Sequence, residues 1–161
     1  MNAQFLYNMA LLLHITGFTL LVGATLSAYL CMHRLWKLDA DKAKGAGDFM
    51  KMSSGLSALA IIGGVLVIGA GASMIALILR AGPVEPQRWF QIKIILVLLI
   101  VLNITLFGTR QARKLKKVLK GGQLGISSAS LDRIRSSLNL FYAIQLLLMF
   151  TIFVLSTFRF Q

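Results

Sequence analysis

From Met1 to Met32 the only side chain able to carry a charge near neutral pH is that of His14, and the run closes abruptly on His33, Arg34 and Lys37. A helix needs about 20 apolar residues to cross a bilayer, and LYNMALLLHITGFTLLVGATLSAYL exceeds that within this stretch. A membrane helix with a sharp end and a single titratable group inside it is therefore predicted. An ionisable side chain in such a place is a functional-site candidate by default, because its burial is costly.

Three further apolar runs follow, so that spans are predicted at about 5–31, 55–79, 89–109 and 138–158. The apolar share of the 161 residues, 57%, lies above the about 45–50% of soluble domains. The formal charge of +12 would suggest nucleic acid in a soluble chain, but here its location decides. Five Lys/Arg fall between Arg34 and Ser54 and eight between Arg110 and Ser137, against two between Arg80 and Arg88. That asymmetry is a topology signal: the connections at about 32–54 and 110–137 are cytoplasmic, and both termini lie on the outer side. Its partners are anionic lipid headgroups, met by Arg110, Arg113, Lys114, Lys116 and Lys117, and not nucleic acid. The expected fold is an all-α integral membrane protein, a four-transmembrane-helix bundle forming a single domain over residues 1–161. It would be multi-pass in a bacterial inner membrane, with the termini in the periplasm.

Cys31 is the only cysteine, which excludes an internal disulfide or a CxxC redox pair. The segment before it lacks a basic n-region, and Leu30 is not the small residue of a lipoprotein cleavage site, so a retained helix is expected. The second run is rich in small residues, with Ala60/Gly64 and Gly69/Ser73 at the spacing that lets helix backbones approach closely, and is predicted to be the most buried helix. Pro86 sits near the start of the third helix, and Arg88, Trp89 and Phe90 form an interfacial anchor there. RQARKLKKVLK can continue that helix until Gly121 and Gly122, and Ser130 is the expected N-cap of the fourth. No internal repeat is recognisable.

Four polar side chains fall inside the spans: His14, Lys93, Asn103 and Gln145. Each needs a partner, since hydrocarbon offers none. At about 1.5 Å rise per residue, His14 lies roughly 13 Å and Lys93 roughly 6 Å below the outer surface, while Asn103 and Gln145 lie roughly 9–11 Å from the inner one. Asn103 and Gln145 are thus placed to hydrogen-bond across helices. His14 shares a stripe with Gly17, Leu21, Thr25 and Ala28, a face suited to helix packing, and should point into the bundle. Its imidazole has three readings: a neutral group bonded to a neighbouring helix, an axial haem ligand, or a proton relay. Lys93 either snorkels to the outer headgroups or binds an acidic group such as a propionate. Cys31, Met32 and His33, with Met50 and Met52, are soft ligands of the kind that hold Cu(I). Three of them are sequence neighbours that cannot all face one point, which disfavours copper.

The order of these features resembles a group of small four-helix membrane proteins that includes HemJ-type protoporphyrinogen oxidases and the membrane domain of CopD copper-resistance proteins. Leu13-His14-Ile15, Gly23, Tyr29-Leu30 and Arg34-Leu35 carry the likeness in the first helix. Trp89-Phe90-Gln91-Ile92-Lys93-Ile94, the apolar run after it and Arg110 resemble the group's tryptophan-to-lysine signature, and Leu138-Asn139 falls where the HemJ pattern has a Leu-Asn pair. The resemblance implies a haem- or porphyrin-binding redox protein, with haem b as cofactor, His14 as the metal ligand, and His14, Lys93 and Asn103 as cofactor-binding residues. The chain departs from the pattern in two places. Leu102-Asn103-Ile104 replaces a Tyr-His-Gly, and Leu140 and Tyr142 stand where a Glu and a Pro follow the Leu-Asn pair. A non-catalytic membrane scaffold or subunit, forming a homo-oligomer or binding a membrane-protein partner, and a copper-handling CopD-like protein are the other readings.

Overall fold

The computed structural model describes residues 2–35, 44–81, 88–104, 106 and 128–157, and side chains over a slightly smaller set. The described residues form four helices: α1 (Ala3–Leu35), α2 (Lys44–Ala81), α3 (Arg88–Asn103) and α4 (Ser128–Thr157). There is no strand among them. Three helices contain spans long and apolar enough to cross a membrane, Ala3–Arg34, Lys51–Arg80 and Asp132–Thr157, while the apolar part of α3 among the described residues is Gln91–Asn103. Residues 107–109 of the expected third span, and the Arg110–Lys117 lipid-contact cluster, lie outside the described residues.

The helices outrun the apolar segments that predicted them. α2 starts at Lys44 rather than near residue 55, and α4 at Ser128 rather than near 138. Nothing in Lys44–Ser54 or Ser128–Ser137 breaks a helix, since neither stretch contains proline. Helical hydrogen bonding therefore continues into the polar flank, where water can satisfy the frayed end. At 38 residues α2 is about 57 Å long, nearly twice the ~30 Å hydrocarbon core, so its polar first turns fall beyond any span. Ser130 is consequently an interior residue of α4 and not its N-cap.

The surface has the polarity of a chain meant for lipid. Ile61 and Val65 are 67% and 66% exposed, and Leu12, Leu98, Leu140 and Phe150 also stand on the outside. Large apolar side chains in such continuous bands are incompatible with a water-facing monomer. Several hydroxyls in these bands are satisfied locally. Thr19, Ser73 and Thr151 donate to Ile15, Gly69 and Leu147 carbonyls four residues back, and buried Thr25 does the same to Leu21 at 2.7 Å.

The chain divides into two compact units, one holding α1 and α2, the other α3 and α4. In the first unit the helices run antiparallel, because moving up α1 from His14 to Gly17 to Leu21 moves down α2 from Val67 to Gly63. Their backbones touch where Gly17 meets Gly63. A Cβ on Gly63 would fall 2.7 Å from the Gly17 carbonyl oxygen and 2.7 Å from the Leu21 nitrogen. A Cβ on Gly17 would lie 2.7 Å from Leu66 Cβ and 2.9 Å from the Gly63 oxygen. The packed face of α1 carries buried Ala10, Gly17, Leu21, Ala24, Thr25 and Met32, so the expected stripe through Gly17, Leu21 and Thr25 is present.

Two expectations for α2 are corrected here. The close approach uses Gly63, not the pairs Ala60/Gly64 and Gly69/Ser73: Gly64 and Gly69 have nothing within 4 Å of a built Cβ. α2 is also the least buried of the three long spans, at 11% against 22% and 17%. One glycine per crossing is enough for contact, and the bulky Ile and Val residues between the glycines then face outward.

In the second unit α4 carries buried Leu138, Gln145 and Met149, a stripe with helical spacing, and α3 carries buried Ile100 and Asn103; the two helices meet where Asn103 bonds Gln145. Gln145 and Met149 are the most deeply buried side chains described, at 1% and 2% exposure. Lys93 is half-buried and lies on the same stripe of α3 as Ile100 and Asn103, at seven- and ten-residue spacings.

Candidate functional site

Three of the polar side chains singled out from the sequence, His14, Asn103 and Gln145, make hydrogen bonds between helices. His14 Nδ1 lies 2.9 Å from the Val67 carbonyl oxygen on α2. A carbonyl can only accept, so Nδ1 carries the proton and donates. The neutral ring must then leave Nε2 with its lone pair. Nε2 has no hydrogen-bond partner among the described residues.

Two features of the sequence produce this geometry. The Gly17–Gly63 contact, one turn from His14, brings the helices close enough for an imidazole to reach a main-chain oxygen. Gly71 supplies the room: a Cβ there would sit 3.3 Å from His14 Cε1 and 3.5 Å from Nδ1. Val67 lies one turn before Gly71, so the ring occupies the notch made by the missing side chain and bonds to the carbonyl at its floor. The role of Gly71 is not visible from sequence, because it is one of several glycines in the run and only the register of the hairpin singles it out.

Gly71→Val is expected to push the imidazole out of its notch and cost the Nδ1–Val67 bond, since a branched side chain needs more space than the 3.3 Å gap allows. The chain has two histidines, so ¹⁵N NMR of the ring nitrogens can be read residue by residue. Wild type should show a His14 fixed as the Nδ1–H tautomer, and the variant a mixture of tautomers. An unchanged spectrum would show that the notch does not hold the ring.

Asn103 and Gln145 form the second polar contact. Asn103 Nδ2 donates to Gln145 Oε1 at 2.9 Å, and at 3.4 Å to the Phe141 carbonyl one turn earlier on α4. This is the interhelical pairing that their matched depths predict. It leaves Gln145 Nε2 buried without a partner. The hydrogens of the Asn103 amide are thus engaged within the α3–α4 unit.

His14 belongs to the first unit, and Lys93 and Asn103 to the second. The structure therefore describes each within its own unit, and the three residues are not drawn into one measured site. The copper candidates differ in exposure: Met32 is buried, His33 stacks on Tyr29 with centroids 6.3 Å apart, Cys31 is a half-buried free thiol, and Met52 is exposed. The side chain of Met50 lies outside the described set. The described residues contain no cluster of three or more His, Cys, Asp or Glu side chains.

The fold and the site define a helical protein of the membrane-spanning type with a histidine held by its neighbour's backbone. Comparison with protein-family profiles, with curated proteins and with solved structures finds no match to the chain.

Proposed function

We propose that this protein binds haem or a porphyrin and takes part in redox chemistry in a bacterial inner membrane, with both termini on the periplasmic side. The observation that supports it is the hydrogen bond from His14 Nδ1 to the Val67 carbonyl. Histidines that ligate metals commonly donate the other ring N–H to a backbone carbonyl or carboxylate, which fixes the tautomer and raises the basicity of the ligating nitrogen. His14 has that arrangement, in a span where its burial costs stability.

Haem, when bound, supplies a redox-active iron. The chain's contribution is to hold Nε2 as an unprotonated donor and, through the Val67 bond and the Gly71 notch, to keep the ring from rotating. The chain has Leu102-Asn103-Ile104 in place of the Tyr-His-Gly of the HemJ-type group, so the proposal is for binding and not for that group's oxidase reaction.

The visible spectrum of the detergent-purified protein tests this reading. A Soret band is expected after purification or haem addition, lost in His14→Ala and recovered when free imidazole is supplied, with helicity by circular dichroism unchanged. A protein with no Soret band after haem addition, or one whose band is indifferent to His14→Ala, overturns it. A second reading is favoured by Gly64 and Gly69, which leave open space beside α2 where another helix could approach. On that reading the chain is a scaffold or subunit, and a colourless protein that elutes as a stable oligomer supports it.

A further inference from the structure

A groove runs beside the α1–α2 contact in the first unit. Its outer part, about 410 Å³, is lined by Leu6, Met9 and Leu13 from α1 and by Ala76, Leu77 and Arg80 from α2, among others. A second hollow of about 350 Å³ continues it past Ser73 and Gly69 to Val65, sharing Ala10, Leu13 and Ser73 with the first. Together they run along α2 from Arg80 to Val65, about 22 Å at 1.5 Å per residue, with α1 forming the opposite wall over about 10 Å from Leu6 to Leu13. One leaflet of hydrocarbon is about 15 Å deep, half of the ~30 Å core, so the groove can take an acyl chain along its length.

The walls are apolar throughout. The Ser73 hydroxyl is bonded to the Gly69 carbonyl at 2.9 Å and offers the groove no free donor. Arg80 is the only charged residue in the lining, and it stands at the outer end, where α2 finishes. It has no hydrogen bond or ion pair among the described residues. Neither α1 nor the span 51–80 contains an acidic residue, and Glu85, the nearest in sequence, lies outside the described residues. An unpaired guanidinium at the interface, set over an apolar trough of acyl length, is complementary to a molecule with one anionic head and a hydrocarbon tail.

We propose that this groove is a binding site for an anionic phospholipid, with one acyl chain between α1 and α2 and the phosphate on the Arg80 guanidinium. The site is independent of the haem reading, since His14 does not line the groove.

The test uses the full chain, delipidated in detergent, with dioleoyl phosphatidylglycerol, dioleoyl phosphatidylcholine or oleate added and retained lipid counted by native mass spectrometry. One phosphatidylglycerol should be retained about fivefold more strongly than phosphatidylcholine, the factor that one basic residue at an anionic surface provides. Arg80→Gln should reduce phosphatidylglycerol to the phosphatidylcholine level, while Arg34→Gln, an exposed cation at the other end of α1, should not. Ala76→Phe, which fills the outer groove, should displace both phospholipids, and Ser73→Leu gives the same reading if that variant fails to fold. Equal retention of the two phospholipids by wild type, retention unchanged by Arg80→Gln, or retention of oleate without phosphatidylglycerol overturns the proposal.

Discussion

Gly63→Ala is expected to break the α1–α2 crossing, with a large loss of stability for a single added methyl. The new Cβ would lie 2.7 Å from a carbonyl oxygen and 2.7 Å from an amide nitrogen of α1, and backbone atoms cannot rotate away as a side chain can. Overpacking of flexible side chains costs about 1–3 kcal/mol. Here a whole helix must shift, so a cost of about 3 kcal/mol or more is expected. Gly17→Ala should behave alike, since its Cβ meets the Gly63 oxygen at 2.9 Å. Gly64→Ala and Gly69→Ala, in the same helix and equally conservative, meet nothing within 4 Å and should change stability by no more than about 1 kcal/mol, toward greater stability through helix propensity. Titration with sodium dodecyl sulfate in mixed micelles, followed by circular dichroism, ranks the four variants. If Gly63→Ala unfolds at the same detergent fraction as Gly64→Ala, the backbone contact is not what holds the hairpin. On the haem reading, Gly63→Ala should also weaken the Soret band without touching His14, because Val67 is one turn from the crossing.

Asn103→Leu is expected to destabilise the α3–α4 unit, and the double variant Asn103→Leu/Gln145→Leu to recover most of the loss. Gln145 is 1% exposed, and its Nε2 already lacks a partner. Removing Asn103 strands Oε1 as well, and an unsatisfied buried polar group costs about 1–3 kcal/mol. Replacing both partners with apolar groups of similar size removes the desolvation penalty together with the bond, which is close to neutral. Gln145→Leu alone should cost less than Asn103→Leu, because it eliminates the orphaned nitrogen and leaves Asn103 its 3.4 Å contact with the Phe141 carbonyl. Measured interhelical hydrogen bonds in membrane proteins average only ~0.6 kcal/mol, so the decisive quantity is the coupling energy of the full double-mutant cycle. A coupling energy of zero would mean that the two amides do not interact.

The opposite behaviour of these sites shows why some of the structure is legible in the residues and some is not. The Asn103–Gln145 pair could be anticipated because two polar side chains at equal depth in hydrocarbon have few alternatives to each other. The face of α1 could be anticipated because His14, Gly17, Leu21 and Thr25 repeat with the helical period. The identity of the contacting glycine could not. α2 offers Gly63, Gly64, Gly69 and Gly71 within nine residues, and spacing alone favours Ala60/Gly64 and Gly69/Ser73. A difference of one residue rotates the contact by about 100° around the helix, and only the register of α1 against α2 chooses among them.

What the sequence determined by itself is the class of fold and the inventory of polar groups. Apolar runs of bilayer length admit little but helices, and the few polar residues inside them must find partners or be functional. What only the tertiary structure decided is which atoms those partners are. His14 was legible as a histidine in a span, but the proton on Nδ1 follows from the Val67 carbonyl, and the space for the ring from Gly71. Both belong to another helix more than fifty residues away, brought to His14 by the Gly17–Gly63 crossing. Glycine contacts are set by the rotation and offset of two rigid helices, which no local pattern along either one encodes.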